Sequence, residues 1–292
     1  MRAPGQTIVV RGTRCYAGRD QGGAMFAKLN HLAIVSENYA LSGKFYEAMF
    51  GMTTSARSRP EGAVVVADGY VGLNINPRRP GRAARLDHFG VEVEDVETVF
   101  QRMRRKYPRI EWLQRPANRP FAGITTHDPD GNLFDLSQRD MANRRDVYVE
   151  MGGAHPRRIG HFGVRAMNPD ALAEFYRDVL ELEPRNRAEG DANHYLSDGQ
   201  VTLVIMPWHI TDFDKTGISS PALDHMGFAV ESVAAFKADA ARVAATNPAL
   251  APREIGHGPE GEARLQLAER SCPLCQHHFA DIDGVLLSVS AA

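Results

Sequence analysis

The sequence predicts an α+β protein made of two homologous halves, and two observations support this fold class. The first is an internal repeat. Laid on itself at an offset of 130 residues, the chain matches without a gap at His31 and His161, Phe45 and Phe175, Tyr46 and Tyr176, Asp68 and Asp198, and Gly69 and Gly199. The second is that each half twice alternates a strand-like run with a helical segment. The chain is therefore interpreted as a duplicated domain whose halves are themselves doubled.

Each of the four units opens on a short apolar run that contains a histidine, at 30–35, 87–92, 160–164 and 224–228. Their length and β-branched residues are typical of strands. A helical segment follows, as in the first unit, where Leu41, Phe45 and Met49 form one apolar stripe. Further strands are predicted around Asp-Gly turns, so each unit consists of a strand, a helix and several strands.

We expect the first domain at 28–140 and the second at 158–292, joined by a linker at 141–157 that contains Gly and Pro. The leader at 1–27 is rich in Arg and Gly, and it lacks the apolar region of a secretory signal. Because it shows neither helical nor strand periodicity, it is predicted to be disordered. Cys15 then has no assigned role.

Composition limits the classes of function. A formal net charge of -2 gives no support to nucleic-acid binding. No apolar run approaches the roughly 20 residues that cross a bilayer. Three cysteines do not make a disulfide framework, so a reducing, cytoplasmic location is expected. The expected partners are a small-molecule substrate and further copies of the chain in a homo-oligomer, with no nucleic acid and no membrane.

Four units of strand, helix and three strands, each opening on an x-His-x-Gly-type strand such as Asp87-His88-Phe89-Gly90, resemble the vicinal oxygen chelate superfamily. This superfamily includes glyoxalase I, bleomycin-resistance proteins, methylmalonyl-CoA epimerase and type I extradiol ring-cleaving dioxygenases. The resemblance covers Lys28 to Ser290, and it implies paired βαβββ modules that form a cup-shaped mixed sheet with helices outside. Two halves of two modules look most like the extradiol dioxygenases.

The resemblance also implies a metal held by a histidine on the first strand of each paired module and a carboxylate on the last strand. In the first half these positions are His31, His88 and Asp135. Fe(II) is the expected metal, with Mn, Ni, Zn and Mg as alternatives. The complete triad lies in the N-terminal half, and Asp replaces the family's Glu. In the second half, His161 and His225 are accompanied by Ser288 at the carboxylate position.

The sequence leaves a second pairing of the modules open. If the first module closed with the fourth and the second with the third, Asp135 would join His88 and His161. His31 and His225 would then face each other without an acid. His88 and Asp135 share a site under both arrangements.

Two polar residues near the triad are candidates for catalytic groups. The extradiol resemblance implies an acid/base histidine on an inner strand, and His127, close to Asp135 in the chain, fits that position. Tyr70 is the other candidate, because it lies among the middle strands.

Four further residues are expected to bind substrate. Asn74 and Asn76 share one face of their strand by period-two alternation, and that face is expected to line the cup. In the second half, His194 on a middle strand and His278 before the last turn are the expected polar contacts.

Cys272 and Cys275 have the C-x-x-C spacing of two zinc-binding thiolates, and His277 and His278 follow them. The sequence contains no matching second pair of cysteines, and a lone C-x-x-C is a weak signal. A structural zinc is therefore the lesser interpretation of this motif.

The expected function is that of a metal-dependent dioxygenase resembling the type I extradiol enzymes, acting on a catechol-like or other vicinal-oxygen small molecule. The ligands alone do not select the reaction. The alternatives are a non-oxidative lyase, isomerase or epimerase, and a protein that sequesters a small molecule without turnover.

Overall fold

A computed structural model of the protein describes residues 25–55, 62–116, 120–144, 146–151 and 155–292. These residues form two mixed sheets with helices packed against them, which confirms the predicted α+β fold. Most of the leader predicted at 1–27, with Cys15, lies outside the described residues. So do 145 and 152–154 of the predicted linker.

The first half builds one eight-stranded sheet, in the order β2-β3-β4-β1-β5-β8-β7-β6, and two helices. In chain order the elements are β1 (Ala27–Ser36), α1 (Tyr39–Phe50), β2 (Thr53–Thr54), β3 (Val64–Ala67), β4 (Gly72–Pro77), β5 (Arg85–Val93), α2 (Val96–Lys106), β6 (Trp112–Gln114), β7 (Ile124–His127) and β8 (Leu133–Gln138). A 3-10 helix at Ala142–Arg144 follows.

The second half builds a seven-stranded sheet, in the order β10-β11-β12-β9-β13-β15-β14. Its elements are β9 (Arg158–Ala166), α3 (Pro169–Leu180), β10 (Glu183–Pro184), β11 (His194–Ser197), β12 (Thr202–Pro207), α4 (Phe213–Thr216), β13 (Ala222–Val230), α5 (Val233–Thr246), α6 (Gly258–Ser271), β14 (His277–Ala280) and β15 (Leu286–Ala291), with 3-10 helices at Ile210–Asp212 and Pro248–Leu250. Arg253 bridges to Ala280 of β14 as β6 pairs with β7, so α6 is an addition between that bridge and β14.

The modules pair within each half. The first strands of the first and second modules, β1 and β5, run antiparallel side by side. The first strands of the third and fourth modules, β9 and β13, do the same. The alternative pairing of the first module with the fourth is therefore wrong.

Equivalent residues start the first helix of each half. The side chain of Asn38 accepts a hydrogen bond from the Leu41 amide, and Asn168 accepts one from Ala171. Each bond satisfies an amide that has no partner within the helix. The predicted apolar stripe then faces the core, where Phe45 is fully buried.

The two halves share one apolar core. Phe50 of α1 stacks on Phe228 of β13 with ring centroids 3.6 Å apart, and Phe89 of β5 meets Phe162 of β9 at 5.3 Å. The helix-facing sides of both sheets contribute to this core. The opposite face of the first sheet is called the first cup, and that of the second sheet the second cup. Both cups face away from the shared core.

Two buried hydrogen bonds cross between the halves in equivalent places. The hydroxyl of Tyr46 donates to the carboxylate of Asp281 at 2.8 Å, and that of Tyr176 donates to Asp128 at 2.6 Å. Each tyrosine comes from the first helix of one half, and each carboxylate comes from the last turn of the other. The duplication thus produces a pseudo-symmetric junction.

No helix in the described part of the chain is long and apolar enough to cross a membrane.

Replacing Tyr46 by Phe should lower the free energy of unfolding at pH 8 by about 1.5–3 kcal/mol, because a buried carboxylate loses its donor. Burial raises the pKa of Asp281 to about 6, and the Tyr46 hydrogen bond opposes this rise because it favours the ionised form. The loss should therefore be complete well above pH 6 and shrink as the pH falls through the folded-state pKa. Denaturant unfolding at pH 8 and pH 5 measures it.

Tyr176→Phe is the matched variant, because it removes the equivalent bond to Asp128. A similar loss at pH 8 is expected. Equal losses of Tyr46→Phe at both pH values, or no loss, would contradict the assigned role of the hydroxyl.

Candidate metal centre

The structure brings His31, His88 and Asp135 together in the first cup. They offer one donor atom each, and the three atoms lie within 4.8 Å of one another. His31 on β1 lies opposite Gly90 on β5, and Gly90 lies opposite Asp135 on β8. His88 precedes Gly90 by two residues and so points to the same face. Two imidazoles and one carboxylate meet across three neighbouring strands.

A missing side chain at position 90 makes room for His31. A Cβ atom on Gly90 would lie 1.9 Å from Cε1 of the His31 imidazole. The second half repeats the relation, because a Cβ on Gly227 would lie 1.9 Å from Cε1 of His161. In the x-His-x-Gly pattern, the glycine therefore accommodates the histidine of the paired strand.

A β-bulge supplies the carboxylate that orients His88. The register between β1 and β5 shifts next to this histidine, and Asp87 is the extra residue. Its carboxylate bonds Nδ1 of His88 at 2.9 Å, while Nε2 of His88 lies 3.5 Å from Asp135. A histidine held this way presents Nε2 to a metal. Sequence reasoning missed Asp87, although Asp224 precedes His225 in the same manner.

The electrostatics of the site favour a positive charge. Burial opposes a charge on His88, but the carboxylates of Asp135 and Asp87 outweigh it and raise the pKa of His88 to about 9. Burial alone would raise the pKa of Asp135, whereas His88, His31 and the Thr125 hydroxyl lower it to about 2. A metal cation bound between His88 and Asp135 would take the place of the proton on His88.

Two aromatic side chains close one side of the first cup. The ring centroid of Phe121 lies 4.5 Å from that of His31, and the centroid of Tyr148 lies 5.7 Å from it. The Tyr148 hydroxyl donates to Asn74 Oδ1 at 3.1 Å. Sequence reasoning assigned Tyr148 to the linker, but its side chain packs in the cup, over Gly72. No pattern in the sequence marked either aromatic residue.

Asn74 and Asn76 lie on the cup face of β4, as predicted, because Leu73 and Ile75 between them belong to the shared core. Their contact with a substrate stays a prediction.

The ring nitrogens of His127 are both bonded to the backbone. Its Nδ1 bonds the carbonyl of Asp128 at 2.8 Å, and its Nε2 accepts from the amide of residue 111 at 3.3 Å. With both ring nitrogens on the backbone, it is not placed as an acid or base.

The structure corrects the expectation for Tyr70. Its hydroxyl donates to Asp198 of the other half at 3.1 Å, and Lys28 lies over its ring at 4.5 Å. Asp198 is buried and also accepts the amide of Leu29, which belongs to β1. Tyr70 therefore stabilises the junction between the halves and is not a group of the first cup.

The two histidines predicted in the second cup are on opposite faces of the sheet. His194 pairs through Nε2 with Asp170 on α3 at 2.6 Å, so it faces the helices and the prediction for it is wrong. His278 lies in the second cup, because Phe279 beside it belongs to the shared core. A role of His278 in binding stays a prediction.

The second cup gathers a different set of donors. His161 and His225 are joined there by Cys272 and Cys275, and one donor atom of each lies within 4.8 Å of the others. The cysteines thus approach the histidines of β9 and β13 and not His277. Their separation in the chain hid this convergence from sequence reasoning.

The chain belongs to the Glyoxalase/Bleomycin resistance protein/Dioxygenase superfamily, whose family model matches residues 28–136 and 158–289. This confirms the resemblance inferred from the repeated strands.

The sequence similarity to an individual curated protein is low and covers only part of the chain. The manganese-dependent 2,3-dihydroxybiphenyl 1,2-dioxygenase of Geobacillus genomosp. 3 is 25% identical over an alignment of 177 residues, and the match covers 56% of this chain and 56% of that protein. The chain thus spans little more than half the length of this relative.

Two solved structures show the same fold. The Mn(II)-bound glyoxalase from Novosphingobium aromaticivorans has a TM-score of 0.62 at 16% identity, covering 91% of this chain and 82% of that one. The 2,3-dioxygenase LapB from Pseudomonas sp. KL28 has a TM-score of 0.56 at 16% identity, with coverages of 92% and 94%.

Replacing Gly90 by Ala should displace the His31 imidazole and lower the free energy of unfolding by about 1–3 kcal/mol, the usual cost of overpacking. Denaturant unfolding measures this loss. Gly123→Ala is the control, because the tightest contact of its Cβ would be the flexible end of Met141 at 3.3 Å. The control should lose less than about 1 kcal/mol. Equal stability of Gly90→Ala and the unchanged protein would refute the steric role of Gly90.

Proposed function

We propose that the first cup holds one divalent metal ion on His31, His88 and Asp135, and that the protein is an enzyme acting on a small molecule with two neighbouring oxygen atoms. The observation that carries the proposal is the convergence of these three donors within 4.8 Å. Ring-cleaving dioxygenation of a catechol-like substrate is the proposed reaction. The partial similarity to a manganese-dependent dioxygenase supports this choice.

The residues of the first cup fit a divalent cation. Two histidines and one carboxylate form the facial ligand set typical of non-haem Fe(II) oxygenases, and Mn(II) suits similar donors. The cup already places two carboxylates against His88, Asp87 at 2.9 Å and Asp135 at 3.5 Å. When bound, the metal would supply Lewis acidity and a template for two substrate oxygens and, if redox-active, electrons for dioxygen. Fe(II) and Mn(II) are the metals proposed.

The surrounding side chains have separate tasks in this proposal. Asp87 holds the His88 ring in one orientation through Nδ1. Phe121 and Tyr148 exclude water from one side of the site and offer aromatic surface to a ring-shaped substrate. Asn74 and Asn76 present amide groups from the neighbouring strand, which can donate to or accept from substrate oxygens.

Asp135→Ala should lose more than about 100-fold in turnover, because changing even an outer partner of a metal ligand costs about 10–100-fold. The full chain would be stripped of metal, reloaded with Fe(II) or Mn(II), and assayed with catechol and 2,3-dihydroxybiphenyl. Oxygen uptake and the absorbance of the ring-opened product are the readouts. His194→Ala should keep full turnover, because His194 faces the helices.

Turnover that survives in Asp135→Ala would exclude the triad as the metal centre. Conversion of a hydroxy-ketone or hemithioacetal without oxygen uptake would replace the dioxygenase by a non-oxidative lyase or isomerase. Tight binding of a diol by the metal-free protein, without conversion, would indicate sequestration.

Asp87→Asn should weaken metal binding in the first cup by about 10–100-fold, because the neutral amide no longer raises the basicity of His88. Competition with a fluorescent chelator for Mn(II) measures the affinity. Asp170→Asn is the matched control, since it changes an exposed aspartate that bonds a histidine outside the cups. Identical Mn(II) affinities of the two variants would show that Asp87 does not support the site.

A further inference from the structure

The second cup contains four metal-ligating side chains with little exposure to solvent. His161, His225 and Cys272 are 1%, 2% and 1% exposed, and Cys275 is partly buried. Both cysteines are free thiols. Burial of two imidazoles and two thiols in one place is costly unless each polar atom finds a partner. The four side chains are therefore candidate ligands of one shared metal ion.

The distances between the donor atoms fit a single small cation. Cys275 Sγ lies 3.3 Å from His161 Nε2, 3.9 Å from His225 Nε2 and 3.1 Å from Cys272 Sγ. Cys272 Sγ lies 3.9 Å from His161 Nε2. Zn–S bonds of about 2.3 Å and Zn–N bonds of about 2.0 Å in a tetrahedron place neighbouring donors about 3.3–3.8 Å apart. Only small side-chain movements separate the four donors from that arrangement.

The groups behind His225 hold it in a ligating orientation. Asp224 bonds Nδ1 of His225 at 2.9 Å, which directs Nε2 toward the thiols. Arg165 and Arg264 each donate to the buried carboxylate of Asp224 at 2.8 Å. A carboxylate behind a ligating histidine is the usual outer partner in metal sites. The same relation joins Asp87 to His88 in the first cup.

The cysteines take the place that the carboxylate has in the first cup. Ser288 lies opposite Gly227, as Asp135 lies opposite Gly90. The short serine side chain leaves space, and Cys275 Sγ bonds its hydroxyl at 3.1 Å. Cys272 directly follows α6, a helix with no counterpart among the described residues of the first half. The additional helix therefore delivers the sulfur donors.

The wall of the second cup beside Cys272 is apolar. Tyr195, Val204 and Met206 pack with Cys272 in one buried apolar cluster. By the repeat, Val204 and Met206 stand where the first cup has Asn74 and Asn76. A site among these residues suits a structural ion better than a reacting one.

We propose that the second cup binds one Zn²⁺ through His161, His225, Cys272 and Cys275 as a closed structural site that fastens α6 and the 272–275 segment across the sheet. Two thiolates and two imidazoles in a tetrahedron are typical of zinc, with iron–sulfur clusters as the other occupant of such donors. Four protein ligands leave no position for substrate. The two cups of one duplicated fold thus hold metals of different kinds, one open and one closed.

The test uses the full chain in an Asp135→Ala background, which removes the first site, with Cys15→Ser so that only two thiols are counted. Metal-free, reduced protein is titrated with Co²⁺ as a spectroscopic probe and with Zn²⁺. One equivalent of Co²⁺ should give the intense visible bands of tetrahedral coordination and a thiolate-to-cobalt band in the near ultraviolet. Zn²⁺ should displace it, protect both thiols from an aromatic disulfide reagent and raise the melting temperature.

Cys275→Ser in the same background should reduce bound zinc from one equivalent to nearly none. His278→Ala is the matched control, because His278 lies buried in the same cup but outside the four-donor group. It should retain one zinc. If Cys275→Ser fails to fold, the cobalt spectrum of the unchanged second cup still shows whether thiolates bind the metal.

Three outcomes would overturn the proposal. One is a cobalt spectrum without thiolate bands. Another is the absorption of an iron–sulfur cluster in freshly purified protein. The third is loss of zinc in His278→Ala with retention in Cys275→Ser.

Discussion

The antiparallel contact between the first strands of two paired modules is the constraint on which both candidate sites depend. In the first half it joins β1 to β5, and it brings together His31 and His88, which are 57 residues apart in the chain. Each strand must contribute a histidine and must also leave room for the histidine of its partner. Gly90 provides that room for His31.

The same contact explains why each pair of histidines comes with an orienting carboxylate. A bulge next to His88 adds Asp87 to the strand, and a bulge next to His225 adds Asp224. Bulges redirect side chains at functional positions of sheets. Here the additional residue keeps the imidazole from rotating and leaves Nε2 directed into the cup.

The two halves differ in the candidate ligands that come from outside the central strand pair. In the first half the third donor is Asp135, on a strand parallel to β5. In the second half Ser288 replaces it, and the cysteines after α6 approach instead. Because the cups face away from the shared core, either set of ligands can change without repacking the junction. The duplicated frame thus presents two sets of donor atoms of different chemistry.

The junction in turn depends on buried polar groups that repeat with the fold. Tyr46 and Tyr176 each donate to an aspartate of the opposite half. Asp68 accepts the amide of Ile159, and Asp198 accepts that of Leu29. These carboxylates lie in the turns that made the repeat visible in the sequence. Their recurrence therefore reflects the contact between the halves, and not the chemistry of the cups.

The sequence by itself determined the α+β class and the four modules, and its resemblance to the superfamily indicated the three residues of the first candidate centre. Apolar periodicity and the position of Asp135 after its turn are properties of neighbouring residues, and the repeat is found by comparing the chain with itself, so all three can be seen without a structure. Module pairing, the inward turn of Tyr148 and the meeting of Cys275 with His161 required the tertiary structure. These contacts join residues far apart in the chain, and no local pattern records which distant backbone lies beside them.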